Sequence, residues 1–358
     1  MAPSRSRLPR SDAEITAAWL TDILRPAGLA GRVVRVSIQE GAVGRAVTSR
    51  VRRLLLTVEG DPLFPRSLVA KTPTSTWTHG STPHVREDRF YRELAPRLDR
   101  LVPRCFYSEV AEDGAFTLLL EDLTGAASGH PVQGLSTGEA ALVVDALADV
   151  HRAWWSETAP AGWSPRPIGG FEVDRMRSRF AEFWPRLLES GAYEVLPGVA
   201  SEAACIPARL DAARTLGAGP ATLSHSDLHP ENLVLLGRGS TTRVVFLDWQ
   251  NARWAHPAFD LAGLLDVTAG DQAQCDAHDL LARYVERLDR PLDSATFADL
   301  VDAASDWIFV GITRWLVLYE EQGLRPPEEV RRRWRRLQRR LLTRRRPDPA
   351  RTRSAEAP

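Results

Sequence analysis

The chain has 358 residues, 44% of them hydrophobic and 26% charged, and its 46 basic side chains balance 46 acidic ones. That composition excludes disorder as the default state, and a formal charge of zero gives no overall attraction to nucleic acid or to an anionic membrane. Three cysteines (Cys105, Cys205, Cys275) without zinc-site spacing or an even count fit a reducing cytoplasm, and no run approaches the roughly 18 uncharged apolar residues of a membrane span.

Ser11 and Glu14 form a capping pair ahead of apolar residues at helical spacing, which predicts a helix over residues 11–24 within an N-terminal extension, 1–32. From Val33 to Lys71 three runs alternate with period two, VVRVSIQ, VTSRVRRLLLTV and RSLVAK, predicting an antiparallel meander with Lys71 at the end of its third strand. Residues 83–98 read as a helix with Val85, Phe90, Leu94 and Leu98 in its apolar stripe. Two further strands, RCFYSEV and AFTLLLED, turn at Glu112-Asp113-Gly114 and complete a first lobe, 33–121. After Asp122 the composition shifts to Gly, Ala and Ser, the expected entry into a mostly helical second lobe, 122–346. Its helices are predicted at about 137–155, 173–188 and 202–215, interrupted by a loop and two strands within 223–249. The segment PPEEVRRRWRRLQRRLLTRRR, acidic at its start and basic at its end, predicts a terminal helix laying Val330, Trp334, Leu337 and Leu341 on that lobe. Residues 347–358 read as a disordered tail.

Two scarcities mark candidate residues. Of the 46 basic side chains, Lys71 is the sole lysine, so a site that needs a compact ammonium instead of a planar guanidinium is expected there. Asparagine occurs only at Asn232 and Asn251.

His225-Ser226-Asp227-Leu228-His229-Pro230-Glu231-Asn232 has the H-x-D-x-x-x-x-N spacing of a kinase catalytic loop. In that chemistry a carboxylate orients the acceptor hydroxyl and takes its proton, the role that suits Asp227. A side-chain carbonyl a few residues on binds a metal, the role that suits Asn232. Asp248, directly after the apolar run VVFL, is placed to ligate magnesium on a triphosphate. Lys71 would hold the phosphates, positioned by a helix carboxylate. Glu87 and Glu93 are the candidates; six residues apart, they point about 120° away from each other, so only one can face the strand, and Glu87 is favoured. Gly41 and Gly44 would cover the phosphates, although G-x-G-x-x-G is absent. Adenine would lie against the backbone at Glu121, Asp122 and Leu123.

With these residues in view the chain resembles the aminoglycoside phosphotransferase family, most of all its branch related to choline kinases and ecdysteroid-kinase-like proteins. The matching elements are LVAK at Lys71, E-x-x-F-Y at Glu87, LLLEDL ending at Leu123, L-x-x-V-H-R-x-W-W around His151, HSDLHPEN at Asp227, FLDWQ at Asp248 and HPAFDLAGLL at Asp260. They stand in family order over residues 33 to 266. The resemblance implies an α+β, protein-kinase-like two-lobed fold, with an antiparallel β-sheet in the N-lobe beside one helix, and a mostly helical C-lobe. It also implies Asp227 as catalytic base, Asn232 and Asp248 as magnesium ligands, and His225 and Asp260 as supports of the loop. Two departures stand out: Ser226 replaces the family glycine, and His229 stands where protein kinases carry Lys or Arg. No A-P-E segment follows Asp248, which argues against protein substrates.

The expected activity is therefore ATP-dependent transfer of a γ-phosphoryl group, with Mg2+, to a hydroxyl of a small molecule. An antibiotic (aminoglycoside, nucleoside or macrolide) in resistance or self-resistance is one acceptor class. Residues 226–306 hold 14 acidic side chains against six arginines, a lean towards a cationic acceptor. The alternatives are a choline- or ethanolamine-type kinase, for which tryptophans 154, 155, 163, 184, 249 and 254 would supply an aromatic cage, and a nucleotide-binding pseudokinase. The protein is expected to be cytoplasmic, without nucleic-acid or membrane partners, and monomeric or homodimeric.

Overall fold

A computed structural model of the chain describes residues 8–40, 49–73, 82–123, 127–128, 135–163, 168–237, 241–265 and 277–343. Gly41 and Gly44, Cys275 and the tail 347–358 lie outside the described residues. Helix α1 (Ala17–Leu24) precedes strands β1 (Arg32–Glu40), β2 (Ser49–Glu59) and β3 (Ser67–Pro73), and α2 (Thr82–Arg89) precedes β4 (Cys105–Val110), β5 (Phe116–Glu121) and β6 (Ala127–Ser128). Then come α3 (Thr137–Ala153), α4 (Gly170–Ser190), α5 (Val199–Ala203), α6 (Ile206–Arg209), α7 (Ala213–Ala218) and β7 (Thr222–Ser224). The hairpin β8 (Leu233–Leu236) and β9 (Arg243–Phe246) and strand β10 (Arg253–Ala255) lead to α8 (Ala258–Leu265), α9 (Ala277–Leu288), α10 (Ser294–Glu321) and α11 (Glu328–Thr343). The chain divides into two compact units, residues 1–129 with 231–252, and residues 130–230 with 253–358.

The first unit is built on a five-stranded antiparallel sheet of order β1-β2-β3-β5-β4. Alternation along β3 sends Leu68 and Ala70 into a core with Leu54, Leu56 and Leu119, closed by Leu20, Ile23 and Leu24 of α1. Each fully buried leucine there contributes roughly 2 kcal/mol. Lys71, odd in that alternation, faces the other way. The N-terminal helix begins later than the Ser11–Glu14 pair predicts. Residues 12–14 form only a 3-10 turn, the Glu14 carboxylate accepts from the Arg10 N–H, and Thr16 caps α1 by accepting from Trp19 N–H at 3.2 Å.

A second difference lies in α2, which ends at Arg89 and passes through a π turn, Phe90–Leu94. Val85, expected in the apolar stripe, is exposed. Phe90, Leu94 and Leu98 of that stripe are buried as expected, and His84, Glu87, Asp88 and Tyr91, at the i, i+3, i+4, i+7 spacing of one helical face, are buried with them. His84 stacks on Phe116 at 3.7 Å, and Asp88 accepts from Ser108 Oγ at 2.6 Å, fixing the helix against the sheet. The β8–β9 hairpin also belongs to this unit: β8 pairs with β6, and Arg243 of β9 donates to the carbonyls of Arg100 and Val102.

The second unit is a helical bundle. A complete capping box of Ser136 and Glu139 starts α3, which packs on α9, while α10 packs on α4, α8 and α11. Trp184, Phe309 and Trp334 meet from three helices, α4, α10 and α11. The single helix expected at 202–215 is broken into α5, α6, a 3-10 turn and α7. Pro207 in the first turn of α6 has no N–H to continue the helix before it. No helix among the described residues is long and apolar enough to cross a membrane.

Candidate active site

Lys71 sits in the middle of the first unit's sheet, paired in register with Val51 of β2 and Leu118 of β5. Its ammonium lies 2.8 Å from both Glu87 carboxylate oxygens and 2.8 Å from Asp248 Oδ1. Glu93 pairs with Arg89 instead, one turn back on the outside of the helix. Burial works against the lysine's charge, but Asp248 and Glu87 together raise its pKa above the usual range, so the ammonium stays charged. Burial pushes the Glu87 carboxyl up, with Asp248 adding to it and Lys71 opposing it. Two acids around one cation leave one negative charge in excess, which a divalent metal or a bound phosphate's counter-cation would relieve.

Both partners of Lys71 are held by one aromatic contact. Phe90, three residues after Glu87, stacks on Trp249, the residue after Asp248, at 4.2 Å and 7° between planes. The Trp249 indole N–H donates to Phe246 O at 3.1 Å, which anchors the turn to β9. Asp248 itself has φ +60°, a left-handed conformation that L-residues seldom keep unless the surroundings hold them there. Asn232, buried, is tied to the same turn, because its carbonyl accepts the Leu247 N–H at 2.9 Å. An amide oxygen and a carboxylate are hard oxygen donors and fit magnesium, which takes one or two protein ligands and fills its remaining positions with phosphate and water. No cluster of three or more His, Cys, Asp or Glu that would make an all-protein metal cage occurs among the described residues.

Asp227 belongs to the second unit, on the loop after β7. A buried carboxylate on α8, Asp260, organises that loop. It accepts from His225 N–H at 2.7 Å, Ser226 N–H at 2.7 Å and Ser224 Oγ at 3.0 Å. His151 Nε2 lies 3.1 Å from it, and His151 Nδ1 lies 2.6 Å from the Tyr284 hydroxyl; with its proton on Nε2, the ring donates to Asp260 and accepts from Tyr284. Burial would raise the Asp260 carboxyl, but His151 and the loop donors lower it. Gly263, one turn along α8, has no room for a side chain: a Cβ there would meet Leu228 O at 2.6 Å.

The Asp227 carboxylate accepts from Arg333 Nη1 of α11 at 2.6 Å. Burial alone would push it up, but Arg333, His229 and His225 more than offset this and bring its pKa down to about 2. Sequence reasoning missed Arg333, one arginine in a run of them. It also placed Trp249 among cage candidates, yet Trp154, Trp163, Trp184, Trp249 and Trp254 are all buried in the cores. Glu121 and Leu123 are half-buried at the end of β5, the Glu121 N–H is donated to Arg104 O at 2.8 Å, and Asp122 is engaged by Arg53 at 2.7 Å. The first unit thus brings together Lys71, Glu87, Asn232 and Asp248, and the second sets Asp227 beside Arg333.

A family model described as the phosphotransferase enzyme family (APH) matches residues 47–294, about two thirds of the chain. No curated protein matches the chain by sequence. Among solved structures, a spectinomycin phosphotransferase in complex with ADP and spectinomycin is 13% identical, with 92% of this chain and 98% of that chain covered and a TM-score of 0.57. A choline/ethanolamine kinase family protein from Mesorhizobium loti is 18% identical, covering 88% and 90% at a TM-score of 0.50. A choline kinase from Streptococcus pneumoniae is 17% identical, covering 87% and 95% at 0.50. At these identities the structural likenesses speak for the kinase-like fold, and the family model speaks for descent. The chain therefore belongs to the phosphotransferase enzyme family and has its two-lobed, kinase-like fold.

Proposed function

We propose that the protein transfers the γ-phosphoryl group of ATP or another nucleoside triphosphate to a hydroxyl of a small molecule. The observation that supports it most is the lone lysine held at 2.8 Å by both Glu87 and Asp248, a charge cluster that a packed core has no use for. In this reading Lys71 holds the α and β phosphates, Glu87 keeps the ammonium in place, and the base lies against the backbone of Glu121, Asp122 and Leu123. Magnesium, held by Asn232 and Asp248, would supply charge neutralisation on the triphosphate. Asp227 accepts a hydrogen bond from the acceptor hydroxyl, aims its oxygen at the γ-phosphorus and receives the proton as the new O–P bond forms and the bond to the β-phosphate oxygen breaks. A base with pKa of about 2 is a weak proton acceptor, but in a loose transition state the proton leaves late and orientation carries most of the effect.

The acceptor we propose is a hydroxylated metabolite or antibiotic, met in the cytoplasm where nucleoside triphosphate is made. The burial of five of the six candidate tryptophans removes the support for an aromatic cage, so a choline-type acceptor is the less favoured choice. Coupled detection of nucleoside diphosphate across a panel of alcohols tests the proposal. Asp227→Ala should lower transfer by about a hundredfold or more, and an unchanged rate would remove Asp227 from its role.

A further inference from the structure

We propose that Arg333, delivered by the C-terminal helix α11, is a positioning and specificity-determining residue of the transfer reaction: it aims the Asp227 carboxylate and selects acceptors that bring no cation to it. This rests on the reading of Asp227 as the base.

Helix α11 holds Arg333 in a fixed place. Trp334, Leu337 and Leu341 are buried, the Trp334 indole N–H donates to Glu194 O at 3.0 Å, and fully buried Gln338 accepts from Leu196 N–H at 2.8 Å and donates to Glu194 O at 3.1 Å. Two turns beyond Arg333, Arg340 donates to Ser305 Oγ and to Asp302. A helix of this composition floating on a surface would point its arginines at water. Here it is pinned beside and after Arg333, whose side chain is only 15% exposed, against 49% and 46% for Arg283 and Arg287 in surface pairs on α9.

The groups facing Asp227 are Arg333 from α11 and His225 and His229 from its own loop, while Asp260 of α8 is occupied by the loop's N–H groups. The Arg333 Nη1 contact holds Asp227 Oδ1 at 2.6 Å and so fixes the rotation of the carboxylate that the acceptor hydroxyl must meet. The same guanidinium changes the charge expected of the acceptor. Of the acids that leaned towards a cationic one, Asp248 is engaged by Lys71, Asp260 by His151 and the loop, Asp302 by Arg340 and Asp306 by Arg209. An ammonium brought within about 5 Å of Arg333 on the side away from Asp227 would be repelled by the guanidinium, a loss of about tenfold in affinity after the offset from the paired carboxylate.

The test is steady-state transfer by the full chain to neutral acceptors (nucleosides, sugars), anionic ones (hydroxy acids) and cationic ones (choline, aminoglycosides). Wild type is compared with Arg333→Ala, Arg333→Met and Arg333→Lys, and the pH dependence of nucleotide hydrolysis without acceptor is measured in parallel. Wild type should favour neutral or anionic acceptors over cationic ones at least about tenfold in kcat/KM. Arg333→Ala, or Arg333→Met if alanine does not fold, should move the acid limb of the rate to higher pH, lower kcat about tenfold or more with the nucleotide KM unchanged, and narrow the discrimination. Arg333→Lys should restore the limb in part. A wild-type preference for choline or aminoglycosides, or an acid limb that stays in place without Arg333, overturns the proposal; if no panel member accepts phosphate, the limb alone decides. A wild type with no nucleotide turnover at all refutes the phosphoryl-transfer reading itself, an outcome distinct from turnover that ignores Arg333.

Discussion

Ser226 has φ +64°, one residue before the proposed base, where the resembling family has glycine. Holding an L-residue there costs about 1 kcal/mol, and the structure offsets it locally: the Ser226 N–H donates to Asp260, and its hydroxyl lies 2.7 Å from Ser224 Oγ. Ser226→Gly relieves the strain and loses the hydroxyl contact, so thermal unfolding should show a net change within about 1 kcal/mol. Ser226→Val, β-branched and without the hydroxyl, should cost at least about 2 kcal/mol. His256 carries a second prediction. Burial, with His151 adding to it, lowers its pKa to about 4, and its Nδ1 accepts the Ala258 N–H at the start of α8. The unfolded chain takes up this proton near pH 6.5 and the folded chain only near pH 4, so stability is full above pH 6.5 and falls as the pH drops through that window, by roughly 3 kcal/mol. His256→Asn keeps a capping acceptor and should flatten the fall, as measured by denaturant unfolding of both proteins between pH 4 and 7.

Helix α8 shows how an element, more than a residue, sets the loop that carries Asp227. Its first turn supplies Asp260 to the loop's N–H groups, and its second turn supplies Gly263 to the carbonyl of Leu228, so one rigid piece touches the loop on both sides of Asp227. Gly263→Ala puts a methyl group where backbone already stands; it should cost about 2 kcal/mol in unfolding and lower kcat about tenfold or more by displacing Asp227. An unchanged kcat in a folded Gly263→Ala protein would mean the loop does not depend on α8. Helix α2 shows why periodicity alone misreads such elements. Its position and the burial of Phe90, Leu94 and Leu98 were legible, but the polar part of its inward face was not, because a helix that aims Glu87 at Lys71 buries His84, Glu87 and Asp88, and the apolar residue at Val85 is left outside.

At the scale of the molecule, what the sequence made legible was the part that chemistry constrains. The H-x-D-x-x-x-x-N run, an aspartate after VVFL and one lysine at a strand end pointed to the candidate site because phosphoryl transfer demands those groups at those spacings. The three-strand meander and the two later strands of the sheet were legible from period-two alternation and their turns. Arg333 was not, since nothing local separates one arginine from its neighbours in RRRWRRLQRR and the contact to Asp227 spans 106 positions. The stack of Phe90 on Trp249 escaped for the same reason. A further consequence follows from Lys71 being the only lysine. Its ε-amine is buried, ion-paired on two sides and held protonated, so it is a poor nucleophile. Acylating reagents applied to the native protein should therefore leave Lys71 unmodified, and label found on Lys71 counts molecules whose fold has opened.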